Sequence, residues 1–511
     1  MIRFFILTLV VPLCALVLSP ALVAEPDSFD SGCNGGGSGL LSKTIYVPDD
    51  YSMIQDALDA AGSKDTIIVR PGLYVENLVV PDLGISLESE LGPLVTIIDG
   101  DEFASVITIE GTDCHDTVID GFTITNGRGS GGVFDHFGGG IYCYAASPTI
   151  TGCIIVNNTA RDSGGGICCI AGSPVIKRNY IADNNVFGSG TGAGIYCYES
   201  SATISGNIIK RNSAAGGVGG IFCDECSPLI VNNLIVRNSA GWGGGGICCS
   251  GHDAQPLIVN NTIADNVAGQ GGGIFCGYYA SPEVINTILW NNDATTGEGP
   301  EIYMSPYFPS SMDVEYSDVE GGESAVFKGP SCGLDWDDNI DVDPQFAEAV
   351  VDDYHLTYTS PCKLAGDEDA SGLEPEDFEG DPRVIQDQVA IGADQFHVHL
   401  YSMDESYSPL SSVDVRIVGE PGETVTLASG TLRSTPKTTP YGDLYLGPPL
   451  VNAPVGDIPA SGILVIKIDL VAGLGSGASQ ISGELPLQSL VGGMVPGSNL
   501  TNFVLQYLLQ D

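Results

Sequence analysis

From Asp116 to Asn292 the chain restates one phrase about every 26 residues: two or three glycines, Ile, an aromatic residue or Cys, Cys, a polar turn, a short apolar run and paired asparagines. A unit of this size cannot bury its apolar side chains alone, so copies must stack as a solenoid. Few folds are compatible with such a chain.

Reading the copies by column gives the coil. Ile141, Ile167, Ile195, Ile221, Ile247 and Ile274 form one column, and Cys143, Cys169, Cys197, Cys223, Cys249 and Cys276 stand two residues later. Side chains two apart on a strand share a face, so Ile and Cys point the same way, into the coil. A third apolar column is Ile150, Ile176, Ile204, Ile230, Ile258 and Val284, and a fourth is Ile155, Ile181, Ile209, Ile235, Ile263 and Ile288. Each coil therefore reads as three short strands, stacked at about 4.8 Å as in any parallel ladder.

Asparagines hold the turns. One column is Asn179, Asn207, Asn233, Asn261 and Asn286, with Cys153 in its place one coil earlier; the other is Asn126, Asn158, Asn184, Asn212, Asn238, Asn266 and Asn291. An Asn amide donates to one neighbouring copy, accepts from the other and tolerates left-handed backbone. The glycan sequons starting at Asn157, Asn260 and Asn499 would need a eukaryotic-type secretory route.

Composition restrains partners and place. With 64 acids against 18 bases the net charge is -46, a surface that repels nucleic acid and anionic membranes. Residues 1–24 have a basic start, an apolar run and small-residue cleavage points, the pattern of a signal peptide. No later run is long and apolar enough to span a bilayer, so a secreted or surface-associated bacterial protein is expected. Fifteen cysteines in an exported chain ordinarily form disulfides, but the column sequesters six of them as small buried hydrophobes. Cys332 and Cys362, outside the repeat, are a candidate pair for a bridge.

Four regions follow: signal peptide (1–24), a Gly/Ser-rich leader (25–43), the solenoid with its closing segment (44–396) and a C-terminal region (397–511). In the solenoid's first part, Ile54, Ala57, Leu58 and Ala61 fall on one helical face, and a helix there would cap the open end of the stack. Alternating stretches at Val413–Val418, Thr424–Leu427 and Gly462–Leu470 point to a small β-sandwich-like domain, too short for a translocator barrel.

The segment Ile54–Asn77, with Gly72, Tyr74 and Glu76, resembles the first coil of secreted right-handed parallel β-helix proteins of the pectin-lyase-like superfamily. Ile263–Ile274 is similar to bacterial polymorphic outer-membrane repeats. Val314–Gly322, Asn339–Phe346, Asp353–Leu356, Ser360–Pro361 and Ile391–Asp394 resemble the closing segment of large secreted β-helix families. The resemblance implies an all-β right-handed parallel β-helix over residues 44–396, and carries no particular activity.

No convergent catalytic set is legible. Gly251–Asp253 is the nearest fragment to the motifs of polygalacturonase-like hydrolases, and the rest are missing. Outward bases in the repeat are few: Arg161, Lys177, Arg178, Lys210, Arg211 and Arg237. Arg211 and Arg237 share a column before the Asn turn, where they could contact a sugar carboxylate. An outward row one residue after the Ile column, including Tyr142, Tyr196, Phe222 and Phe275, could stack on sugar rings or cover the sheet under a loop. Asp335, Asp337, Asn339, Asp341 and Asp343 alternate along one stretch and offer hard oxygen ligands for calcium, the one cofactor with a candidate place. The expectation is a structural, adhesive or glycan-contacting scaffold without its own catalysis. The alternative is a calcium-dependent polysaccharide lyase, or a related carbohydrate-active enzyme, acting on acidic glycans.

Overall fold

The computed structural model describes residues 42–112, 116–129, 137–252, 254–357, 359–380, 382–385 and 388–395, with the backbone of strands between 399 and 510. The signal peptide and nearly all of the leader lie outside the described residues.

The chain winds as a parallel β-solenoid of about 11 turns. A twelve-stranded sheet runs from Thr44–Val47 to Gly333–Asp337, and two ten-stranded sheets complete the wall. One of these, the cysteine sheet, holds the Ile-x-Cys strands from Ile141–Tyr144 to Ile274–Gly277. The other is flanked by the two Asn turns and runs through Ile154–Val156, Tyr180–Ala182, Ile208–Lys210, Leu234–Val236 and Thr262–Ala264. Each central coil also has a fourth, two-residue strand, Thr159–Ala160 to Asp293–Ala294, that the three-strand reading lacks. Copies pair in register, Ile141 with Ile167 and Cys143 with Cys169, and so upward.

The Ile columns and the six stacked cysteines are buried in one continuous core. Burying one such aliphatic side chain stabilises by about 1.5 to 3 kcal/mol, so the columns dominate the energetics. Burial pushes the Cys153 and Cys276 thiols up to about 12. The glycine before Ile is fixed by crowding between coils. A Cβ on Gly140 would lie 2.6 Å from the Gly166 carbonyl oxygen, and one on Gly166 2.6 Å from that of Gly194.

The asparagine ladders form with one shift of position. Asn184 donates its N–H and its Nδ2–H to the Asn212 Oδ1, at 3.1 and 3.0 Å, and its Nδ2 also donates to the Ile155 carbonyl of the coil before. The same pattern runs Asn158, Asn184, Asn212, Asn238, Asn266, and ends at Asn292 rather than Asn291. The other ladder runs from Asn179 to Asn261 and then passes to the Thr287 and Ser317 hydroxyls and to Asn339. Asn126, Asn286 and Asn291 sit one residue earlier, in left-handed backbone. Where two asparagines are adjacent, the first turns the chain and the second joins the ladder. For the same reason Leu289, not Ile288, continues the apolar column.

The helix Ile54–Ala60 buries Ile54, Ala57 and Leu58 against the first coils. Its N-terminus is held by Glu76, whose carboxylate accepts from the backbone N–H groups of Ile54 and Gln55, both at 2.9 Å. A carboxylate at a helix N-terminus satisfies orphan donors and complements the dipole. Cys332 and Cys362 do not bridge: Cys362 donates to Asp318 and Cys332 to the Ser305 carbonyl. Between residues 399 and 510 the described backbone forms one four-stranded and one three-stranded antiparallel sheet.

Candidate functional site

After the last coil, the described residues between 343 and 395 pass back and forth along the outside of the solenoid, over the Asn-flanked sheet and the adjoining edge of the twelve-stranded one. Tyr354 packs with Leu234, Val236 and Ala264, and Leu356 and Ile391 pack on Ile288. Polar contacts reach five successive coils: Arg178 to Glu376, Ser205 to Glu374, Asn232 to Arg383, Asn260 to Ala390 and Asn286 to Asp367. Arg383 is fully buried and donates to the Gly392 and Ala393 carbonyls; burial pulls its pKa down to about 10, against the pull of Asp377 and Asp394.

Three cations meet this return segment at one carboxylate. Lys210 Nζ lies 3.2 Å and Arg211 Nη1 2.9 Å from Asp352 Oδ2, and Arg237 Nε lies 2.9 Å from Oδ1. Arg211 and Arg237 occupy the left-handed position just before the ladder asparagine, so the coil repeat stacks them; Lys210 is the last residue of its strand. Asp183 and Tyr180 also engage Arg211, and Tyr354 engages Arg237.

Beside this junction is a cavity of about 250 Å³, lined by Tyr180, Lys210, Leu234, Asp352, His355 and Glu379 among others. His355 is buried with Nδ1 2.8 Å from Asp353 and Nε2 3.1 Å from Glu379. Burial alone would lower its pKa; the Glu379 and Asp353 carboxylates outweigh that and raise it well above the usual value. Both ring nitrogens thus face carboxylates of the same return segment, contacts that tie its stretches together. Sequence reading missed Asp352, His355 and Glu379 as a group with Lys210. Residues 142 apart leave no local pattern, and only the closing-segment motif at Asp353–Leu356 marked the region.

The other sequence-predicted residues lie elsewhere. Tyr142, Tyr196 and Phe275 are buried and Phe222 is half-buried. Their row is covered by Phe137, Val218 and Trp242, with Tyr196 and Phe222 rings 5.5 Å apart and Trp242 4.6 Å from Phe275. Asp335 and Asp337 are exposed on the last strand of the twelve-stranded sheet. Asp338, at φ 53°, then turns the chain, and Asn339 enters the turn ladder through Ser317 and Val314. Asp341 and Asp343 accept from the Gly321 and Gln345 amides. Among the described residues no three His, Cys, Asp or Glu side chains are grouped to hold a metal ion.

A family model described as "Right handed beta helix region" matches residues 102–263. No curated protein is matched in sequence. Among solved structures, the chain is similar to pectate lyase Pel9A, at 13% identity over 69% of this chain and 96% of that one, with a TM-score of 0.42. It is also similar to the Dettilon tailspike protein, at 14% identity over 83% of this chain and 89% of that one, with a TM-score of 0.35. No described helix is long and apolar enough to cross a membrane. The matched region and the in-register coils around it show the fold: this part of the chain is a right-handed parallel β-helix.

Proposed function

We propose that the chain is an exported bacterial β-helix scaffold of adhesin type that contacts glycans and performs no chemistry of its own. One observation carries this reading: Lys210, Arg211 and Arg237, the stacked cations of the repeat, are joined to Asp352 and hold the return segment down. The signal-peptide pattern of residues 1–24 supports export, and residues 397–511 are read as an accessory β-sandwich-like domain. The test is a screen on polygalacturonate, alginate and glycosaminoglycans with calcium, following unsaturated products by ultraviolet absorbance, beside a glycan array. Array binding without turnover is expected, and turnover overturns the reading.

A second reading, the calcium-dependent polysaccharide lyase, draws on the same junction. Three cations converging on a carboxylate are what an enzyme for acidic glycans would present to its substrate. Repeating the screen with Asp352→Asn separates the two, since turnover gained on freeing the cations favours the lyase.

A further inference from the structure

Three successive turns between the cysteine sheet and the twelve-stranded sheet carry a row of aromatic rings along the solenoid axis. His252 stacks on Tyr279 at 4.0 Å and 13°, Tyr279 lies 5.5 Å from Phe308, and Tyr278 stacks on Phe308 at 4.6 Å. Unlike the covered row of the cysteine sheet, this one faces solvent: Tyr307 is 81% exposed, Tyr278 42% and Tyr279 40%. Its backbone is also unusual. Ala145, Ala171, Glu199 and Glu225 are left-handed at the position of Tyr278 in earlier coils, but only Tyr278 is followed by a second left-handed residue, Tyr279 at φ 73°. A bulky residue in that region carries strain that its surroundings must hold.

A second row runs beside the first. Glu283, four residues after Tyr279, pairs in register with Asp313 and Asp313 with Asp335, all three exposed on the twelve-stranded sheet. Among the described residues none of the three has a Lys, Arg or His within ion-pair distance. Burial, with the neighbouring Asp335 carboxylate, raises the Asp313 pKa. The carboxylates recur at the coil spacing of about 4.8 Å, so Glu283 and Asp335, two coils apart, are spaced much as alternate sugars of an extended β-1,4-linked chain, whose 2-amino groups return to the same side every second sugar.

We propose that this surface binds an amine-bearing polysaccharide lying along the axis, with sugar faces on Tyr307, Tyr279 and Phe308, ammonium groups on Glu283 and Asp335, and Asp313 adding negative charge between them. Aromatic rings attract both the apolar face of a pyranose and a nearby cation, and the in-register carboxylates supply the charge complement. The inference rests on the glycan-contacting reading and gives it a ligand class and a place.

Calorimetric titration of the full chain with a β-1,4-linked glucosamine oligomer tests it, with the fully N-acetylated oligomer, poly-lysine and calcium ion as separate arms. The amine oligomer is expected to bind, more weakly as salt rises. Tyr307→Ala and Tyr279→Gly, the latter keeping the left-handed turn, should each weaken binding about five- to tenfold, with an unchanged circular dichroism spectrum. Asp313→Asn should weaken it and flatten the salt dependence. Equal binding of the acetylated oligomer overturns the proposal, as does calcium binding with no oligomer binding. Tight poly-lysine binding with Tyr307→Ala indifferent to the amine oligomer reduces the surface to a charged patch and overturns it too. Array binding of other glycans with no glucosamine binding sinks this inference and leaves the scaffold reading; catalytic turnover does the reverse.

Discussion

Asn212 shows how much one side chain does in a stacked coil. It accepts from the Asn184 N–H and Nδ2, and donates to the Ile181 carbonyl and Asn238. Asn212→Ala leaves buried groups unsatisfied on both sides, and a loss of about 3 kcal/mol in urea unfolding is expected. The ladder ends at a carboxylate: Glu301 accepts from the Asn292 N–H at 3.0 Å and from its Nδ2. Burial pushes the Glu301 carboxyl up to about 8, although the Asn292 hydrogen bonds oppose the shift. Its folded pKa exceeds the unfolded one, so its contribution is full below about pH 4.5 and is lost as pH rises through about 8. Glu301→Gln keeps an oxygen acceptor without the charge, and should flatten unfolding midpoints measured across that window; a wild-type slope in the variant would count against this account. Composition and spacing made the ladders legible, but not the register in the last full coil. There Asn286, Ile288 and Asn291 mimic the pattern one residue early, because identity alone does not say which of two adjacent residues takes positive φ.

At the scale of elements, the return segment and the coils depend on each other. Asp352→Ala leaves Lys210, whose side chain is only 6% exposed, without this counter-ion. Removing one partner of a buried pair costs about 3 to 5 kcal/mol; with both arginines partly solvated, about 2 to 4 is expected here. Hydrogen exchange should quicken over residues 345–395 while the Ile-column amides keep their protection. Unchanged exchange in the segment would show that Asp352 does not fasten it. The sequence announced the three main strands of each coil and the outward bases, because both follow a period; the short fourth strand, at Thr159–Ala160 and its copies, has too few apolar positions to show one. The partners of those bases were hidden, because they come from a non-repeating stretch whose contacts are set by tertiary packing. The aromatic row of the cysteine sheet had the mirror problem. Its period was plain, but the loops bearing Phe137 and Trp242 that cover it lie outside the repeated strands.

For the whole molecule, the interior is a column of aliphatic and thiol side chains closed to solvent. Of the described cysteines only Cys332 is not buried. Alkylation of the native chain followed by peptide mass spectrometry should therefore label Cys332 and spare Cys143, Cys169, Cys197, Cys223, Cys249 and Cys276, all of which react once denaturant is added. Native labelling of the stack would mean that the coils breathe far more than this packing allows. The return segment has a further consequence for the fold's history. A solenoid whose copies interlock through identical rungs can gain or lose a coil wherever nothing else counts them. The ties described above begin at Arg178, and toward the helix they leave length freer to drift. Between Arg178 and Asn286 a single stretch of chain is tied to five coils, reaching from Asn286 at Asp367 down to Arg178 at Glu376 and back to Asn260 at Ala390, so its own length fixes how many coils lie beneath it. It is a ruler laid against the stack, and an insertion beneath it would throw every later mark out of line.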